Sequence, residues 1–257
     1  MRILAIDSSG MVASVALWED ELILAEFSMN YKKTHSQTLL PMLEDVREKI
    51  DLDMTTIDAI AVAAGPGSFT GLRIGSATAK GLGFALDKPI IPVPTVDGLA
   101  YNLYGTDKVV CPIMDARRSQ TYTGLYTFVR NEEKGIYDMI VICKQCAVYM
   151  DDILDRCNKL GKEVIFLGDG VPVFQDAIRE KLTVPFSFAP AHMNRQRAAT
   201  VASLGARMYE LGKVESAAEH APEYLRLSQA ERERLEQKEQ PEQKEQPEQK
   251  EQPEQKE

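Results

Sequence analysis

The chain has 257 residues, 44% of them hydrophobic and 27% charged, with a net charge of −9 at pH 7. That length suffices for one large domain or two small ones, and the acidic balance argues against a charge-driven nucleic-acid surface. MRILAI is too short for a signal peptide and Asp7 ends it, no stretch approaches the ~20 apolar residues of a membrane helix, and the four cysteines read as reduced structural thiols, so a cytoplasmic protein is expected.

MRILAIDSS, MVASVALWED and ELILAEFSMN alternate as three consecutive strands, with turns near Ser9-Gly10 and Glu19-Asp20. A helix follows; Thr34 and Gln37 have capping-box spacing, and Leu39, Leu43, Val46 and Ile50 recur at helical intervals. DAIAVAAGPG is a buried strand, and Phe69–Leu86 a helix that Ser68 or Thr70 caps. KPIIPVPT is a short proline-bearing strand near a sheet edge, and VDGLAYNLY a short helix.

The order then starts again. KVVCPIMDARR, QTYTGLYTFVR and YDMIVICKQCAV are strands, MDDILDRCNKLG a helix, KEVIFLGDG a strand ending in Gly-X-Gly, and VPVFQDAIREKL a helix. Three strands, helix, strand, helix thus occur twice, each time with an Asp at or just after the end of the first strand (Asp7, Asp115). RQRAATVASLGARMYELGK is a long amphipathic helix expected to pack back on the first half, and PEYLRL closes the folded part. The expected organisation is a first lobe over 1–105, a smaller second lobe over 106–193, and a returning helix and closing segment over 194–235. Residues 236–257 repeat E-Q-K-E-Q-P with eight Glu and four Lys; with nothing to bury, they read as a disordered tail.

Two aspartate-led hairpins in a duplicated α/β chain match the layout of the two-lobed actin, Hsp70 and sugar-kinase group, whose glycine-rich turns hold phosphates through backbone N–H groups. The first turn here offers Asp7, Ser8, Ser9 and Gly10. The second offers Asp115, but Arg117 and Arg118 stand where small residues are needed. Gly168 and Gly170 resemble the adenosine-side turn, with Asp169 adding negative charge. These residues read as a vestigial nucleotide cleft; an actin-like ATPase or small-molecule kinase using Asp7 and Asp115 is the alternative. No Walker loop can be written through GPGSFTGLR, because no Lys follows the glycines. CKQC lacks a second cysteine pair, and none of His35, His192 and His220 has another His three or four residues on, so neither metal nor cofactor is expected. His35 reads as a cap or surface residue.

Gly71, Gly75, Ala79 and Gly83 are spaced four apart on one helix, although each helical Gly costs about 1 kcal/mol relative to Ala. Such a ridge admits close approach by another helix, the chain's own or a partner's. Leu39, Met42, Leu43 and Val46 of the first helix lie beside it in the sharper reading, a two-helix partner face.

Together MRILAIDSSGMVASVAL, HSQTLLPML, AGPGSFTGLRIGSATAKGLGFAL, MDARRSQTYTGLY and PEYLR resemble the TsaB (YeaZ-like) family of bacterial tRNA threonylcarbamoyladenosine biosynthesis proteins, from Met1 to about Leu227. The resemblance implies a non-catalytic subunit. Such proteins pair through two helices of the first lobe with a homologous catalytic subunit, TsaD, and a small ATPase, TsaE, joins at the junction. The assembly transfers threonylcarbamoyl to N6 of an adenosine beside the tRNA anticodon, so tRNA is met through the complex; alone, the same face can form a homodimer. The catalytic relative holds a metal with two histidines four apart; Thr95 and Leu99 occupy those positions here. The tail lies outside the resemblance.

Overall fold

The computed structural model describes residues 1–226, so the repeat tail of 236–257 lies outside the described residues. The first sheet is built from β1 (Arg2–Asp7), β2 (Val12–Glu19), β3 (Leu22–Asn30), β4 (Ala59–Gly65) and β5 (Ile90–Pro94) in the order β3-β2-β1-β4-β5. β1 runs antiparallel to β2 and parallel to β4, and β5 is an edge strand, where its prolines leave no ladder bond unmade. The second sheet repeats the pattern with β6 (Val109–Asp115), β7 (Gln120–Asn131), β8 (Ile136–Tyr149), β9 (Val164–Leu167) and β10 (Phe186–Phe188) in the order β10-β9-β6-β7-β8. The expected duplication is therefore present, and each half carries one more parallel edge strand than its six-element core.

Helices cover both faces of the first sheet, which is why β1 and β4 are nearly continuous apolar runs. On one face α1 (His35–Lys49) and α2 (Phe69–Leu86) join Leu4, Ile6, Ile60 and Val62 in a single cluster. On the other, α6 (Ala198–Glu210) lays Val201, Ala202 and Leu204 against Ile3, Ala5 and Ala61. α3 (Thr95–Ala100) packs against the second sheet, whose other face is covered by α4 (Met150–Leu160) and α5 (Val171–Lys181). Ser68 caps α2, its hydroxyl accepting from Gly71 N at 3.3 Å. The anticipated capping box at α1 does not form: Thr34 is the N-cap, but its side chain accepts no cap bond.

The small-residue stripe of α2 faces inward, and the expectation of a partner surface there is corrected. A Cβ on Gly71 would collide with the Ser8 carbonyl oxygen, one on Gly75 with Ser8 Oγ, and one on Gly83 would lie 3.0 Å from Ala217 Cβ. Ala79 is fully buried, and Leu39, Met42, Leu43 and Val46 are at most 7% exposed, inside the core cluster. Helical spacing establishes that these residues share a face. It does not say what covers that face, and here the covering group is the end of β1 with its sheet. The outward side of the same two helices instead carries Leu40, Ala77, Gly81 and Phe84.

The two kinds of glycine should respond oppositely to one methyl group. Gly71→Ala is expected to destabilise the chain by about 1–3 kcal/mol, since backbone must shift to admit the Cβ. Gly81→Ala, with no atom near its added Cβ, should stabilise by about 0.5–1 kcal/mol. Urea unfolding of the two variants checks both signs.

Candidate functional site

The turn after β1 is built into the fold. Asp7 is buried, and its Oδ1 accepts from Ser9 N at 2.9 Å and from Ser9 Oγ at 2.6 Å. Ser8 Oγ donates to Gly71 O at 2.8 Å, and Ser9 O accepts from Ser68 N at 2.7 Å. Gly10 O lies 2.8 Å from His35 Nε2, so His35 is a partly buried brace on this turn rather than a surface residue. A Cβ at Gly10 would come within 2.9 Å of Gln196 Nε2. Gln196 is 1% exposed, and its amide atoms have no hydrogen-bond partner among the described residues.

The second turn is likewise held from within. Asp115 is the last residue of β6, half-buried, and its Oδ1 accepts from Arg117 N at 2.8 Å. Arg117, Arg118 and Ser119 all have positive φ, which tightens the backbone into a turn while both arginines remain exposed. Gly168 and Gly170 are glycines because β6 passes so close: added Cβ atoms would meet Ile113 O, at 2.9 Å in the case of Gly170. Gly170 N donates to Ile113 O at 3.0 Å, and Gly168 N to Asn194 Oδ1 at 2.9 Å. Arg195 Nη1 donates to Gly168 O at 2.9 Å, and its charge partly offsets the burial that raises the pKa of Asp169.

The structure thus gathers Asp7, Ser8, Ser9 and Gly10 with His35 and Ser68, and separately Asp115 with Gly168 and Gly170. The segment Asn194–Gln196 touches both groups, and sequence reasoning missed it. Its only sequence signal is a polar run before an apolar helix. The amides of Ser9, Ser68, Arg117, Gly168 and Gly170 all have acceptors inside the chain. A phosphate would have to displace them. Thr95 and Leu99 are buried, and Thr95 Oγ1 accepts from Gly65 N at 3.0 Å, a structural use of that position. No group of three or more His, Cys, Asp or Glu side chains that could hold a metal occurs among the described residues, and no described helix is long and apolar enough to cross a membrane.

Burial raises the pKa of Asp7, and the two bonds from Ser9 and the nearby His35 only partly oppose this. A raised folded-state pKa makes ionisation of Asp7 costly to the fold as pH climbs above the ordinary carboxylate range, and costless below it. Asp7→Asn keeps the Oδ1 acceptor and removes the charge. It should therefore be at least as stable as the parent near neutral pH and lose that advantage below about pH 4. Urea titrations at the two pH values check this; a large loss of stability at neutral pH would contradict it.

A family model described as TsaD, tRNA N6-adenosine threonylcarbamoyltransferase, matches residues 23–234. The tRNA threonylcarbamoyladenosine biosynthesis protein TsaB of Bacillus subtilis is 34% identical over 90% of this chain and 96% of its own length. That of Escherichia coli is 33% identical over 88% of this chain and 95% of its own. The solved structure of YeaZ from Pseudomonas aeruginosa superposes with a TM-score of 0.69 at 26% identity, covering 87% of this chain and 99% of that one. With these relatives aligned along nearly their whole length, and the duplicated fold in common, the chain belongs to the TsaB (YeaZ-like) family, within the wider group that the threonylcarbamoyltransferase model describes.

Proposed function

We propose that this chain is the non-catalytic subunit of the assembly that makes N6-threonylcarbamoyladenosine in tRNA, binding a TsaD-like catalytic subunit and, at their junction, a TsaE-like ATPase. tRNA is met through the complex. Residues 1–105 and 106–193 are its two actin-like lobes. The observation that carries this reading is that the amides of Ser9, Ser68, Arg117, Gly168 and Gly170 at these turns are already bonded within the chain. The cleft of Asp7, Ser8, Ser9, Gly10, Asp115, Arg117, Arg118, Gly168 and Gly170 is on this reading a structural remnant, and chemistry is left to the partner. An ATPase or kinase role finds no support in Asp7, a buried carboxyl bonded to its own turn, or in Asp115, whose Oδ1 is held by Arg117 N.

The partner face we assign is the outward side of α1 and α2. Leu40 and Phe84 are 56% and 62% exposed there, large apolar side chains that a single-chain fold leaves uncovered. Ala77 and Gly81, also exposed, keep the α2 surface low, and nothing packed against the helix lies within 4 Å of where a Gly81 Cβ would be. A helix from a homologous subunit can approach α2 closely at that point. When the catalytic subunit is absent, a second copy of this chain can use the same face.

Two substitutions test the face without touching the core. Phe84→Ala should weaken pairing with the catalytic subunit about tenfold or more, and Gly81→Leu should abolish co-purification, while the Phe84→Ala monomer unfolds as the parent does and the Gly81→Leu monomer is no less stable. In a reconstituted tRNA modification assay, omitting the chain should stop product formation and restoring the parent, not Gly81→Leu, should recover it. Full activity with the chain omitted, or unchanged pairing by both variants, would overturn the assignment.

A further inference from the structure

The Cys143-Lys-Gln-Cys146 stretch lies on β8 where the strand is irregular. Cys146 stands opposite Thr123 and Cys143 opposite Leu125, so β8 takes three steps where β7 takes two. On a regular strand, residues three apart point to opposite faces; the extra residue of a bulge returns them to the same one. That face is the one under α4, where Thr123 Oγ1 lies 3.6 Å from Cys111 Sγ. The two steps of β7 also fix the span of the bulged segment at ~6.8 Å, within the about 4.4–6.8 Å between Cα atoms that a disulfide bridges. Burial first, and then the neighbouring Cys143 thiol, raise the pKa of the Cys146 thiol. Arg156 Nη1 donates to Cys143 Sγ at 3.0 Å, placing positive charge where negative charge develops on sulfur during exchange. Cys143 and Cys146 are partly exposed, whereas Cys111 and Cys157 are buried.

We propose that Cys143 and Cys146 are a redox-modification site that closes into a reversible disulfide by exchange with a low-molecular-weight disulfide. The Cys143 thiolate attacks one sulfur of the small disulfide and expels the other half as a thiolate. Cys146 then attacks the Cys143 sulfur and expels the second half. Two protein thiols are oxidised, one small disulfide is reduced to two thiols, and the cysteine protons pass to solvent and the leaving thiolates. Gln145, within the loop so closed, donates to Glu223 Oε2 at 2.9 Å, and Glu223 N bonds Ala64 O at 2.7 Å. The site therefore lies beneath the contact that ties the end of the described chain to β4.

Lys144 makes the test direct, because trypsin separates the two cysteines into the peptides 135–144 and 145–156. The full chain is incubated with glutathione disulfide, alkylated, digested without reduction and mapped by mass spectrometry. The expected result is those two peptides joined, released by dithiothreitol, and absent from Cys143→Ser and from Cys146→Ser; in Arg156→Ala, where the second peptide runs 145–159, the link should form several-fold more slowly and be placed on Cys146 by fragmentation. The peptides 109–117 and 157–159, carrying Cys111 and Cys157, should be alkylated only after denaturation. A glutathione adduct on Cys143 with no joined peptide, a link through Cys111 or Cys157, or complete alkylation of both peptides would overturn the proposal.

Discussion

The fold turns on one close approach, the end of β1 against the glycine face of α2. Ser8 presents its carbonyl oxygen to Gly71 and its hydroxyl to Gly71 and Gly75, at distances no side chain larger than hydrogen would permit. Ser9 adds a backbone bond to Ser68, the residue that caps α2. These contacts seat the helix on the sheet, and they also consume the turn that in a phosphate-binding protein would be left open to a ligand. The conformational cost of the helical glycines, about 1 kcal/mol each, is offset by packing and hydrogen bonding within the chain. The second half repeats the arrangement, with Gly168 and Gly170 against Ile113.

Closing both turns from within has a consequence for function. A carboxyl such as Asp7, whose bonds run to its own turn and whose burial disfavours ionisation, is poorly suited to hold a metal or orient a nucleophile. Outward, α1 and α2 leave Leu40 and Phe84 exposed and Gly81 open. We read this as a division of labour between homologous subunits, in which one keeps the chemistry and the other keeps the fold and the docking face.

Much of the architecture was legible in the residues. Period-two runs gave the strands, the repeated order gave the duplication, and the start of α2 at Phe69 was legible, although the cap could have been Ser68 or Thr70 and proved to be Ser68. Prolines placed β5 at an edge. The direction of the Gly71–Gly83 stripe was not legible, because spacing fixes which residues share a face while the identity of the covering group is a tertiary fact. Gly81 sat outside the four-residue repeat and so was left out of the expected face, though it is the exposed one. β10 was missed because three residues between prolines carry too little period to read. His35 and Gln196 reach the first turn from residues 25 and more positions away, contacts that no local pattern encodes.

The claim at the centre, that the turns are spent on the fold and the chemistry lies in another subunit, is tested most directly by titrating magnesium and ATP into the purified chain alone and following heat and phosphate release together. The account predicts no saturable binding in the micromolar range and no turnover. Submicromolar binding accompanied by phosphate release, both lost on Asp7→Asn, would contradict it.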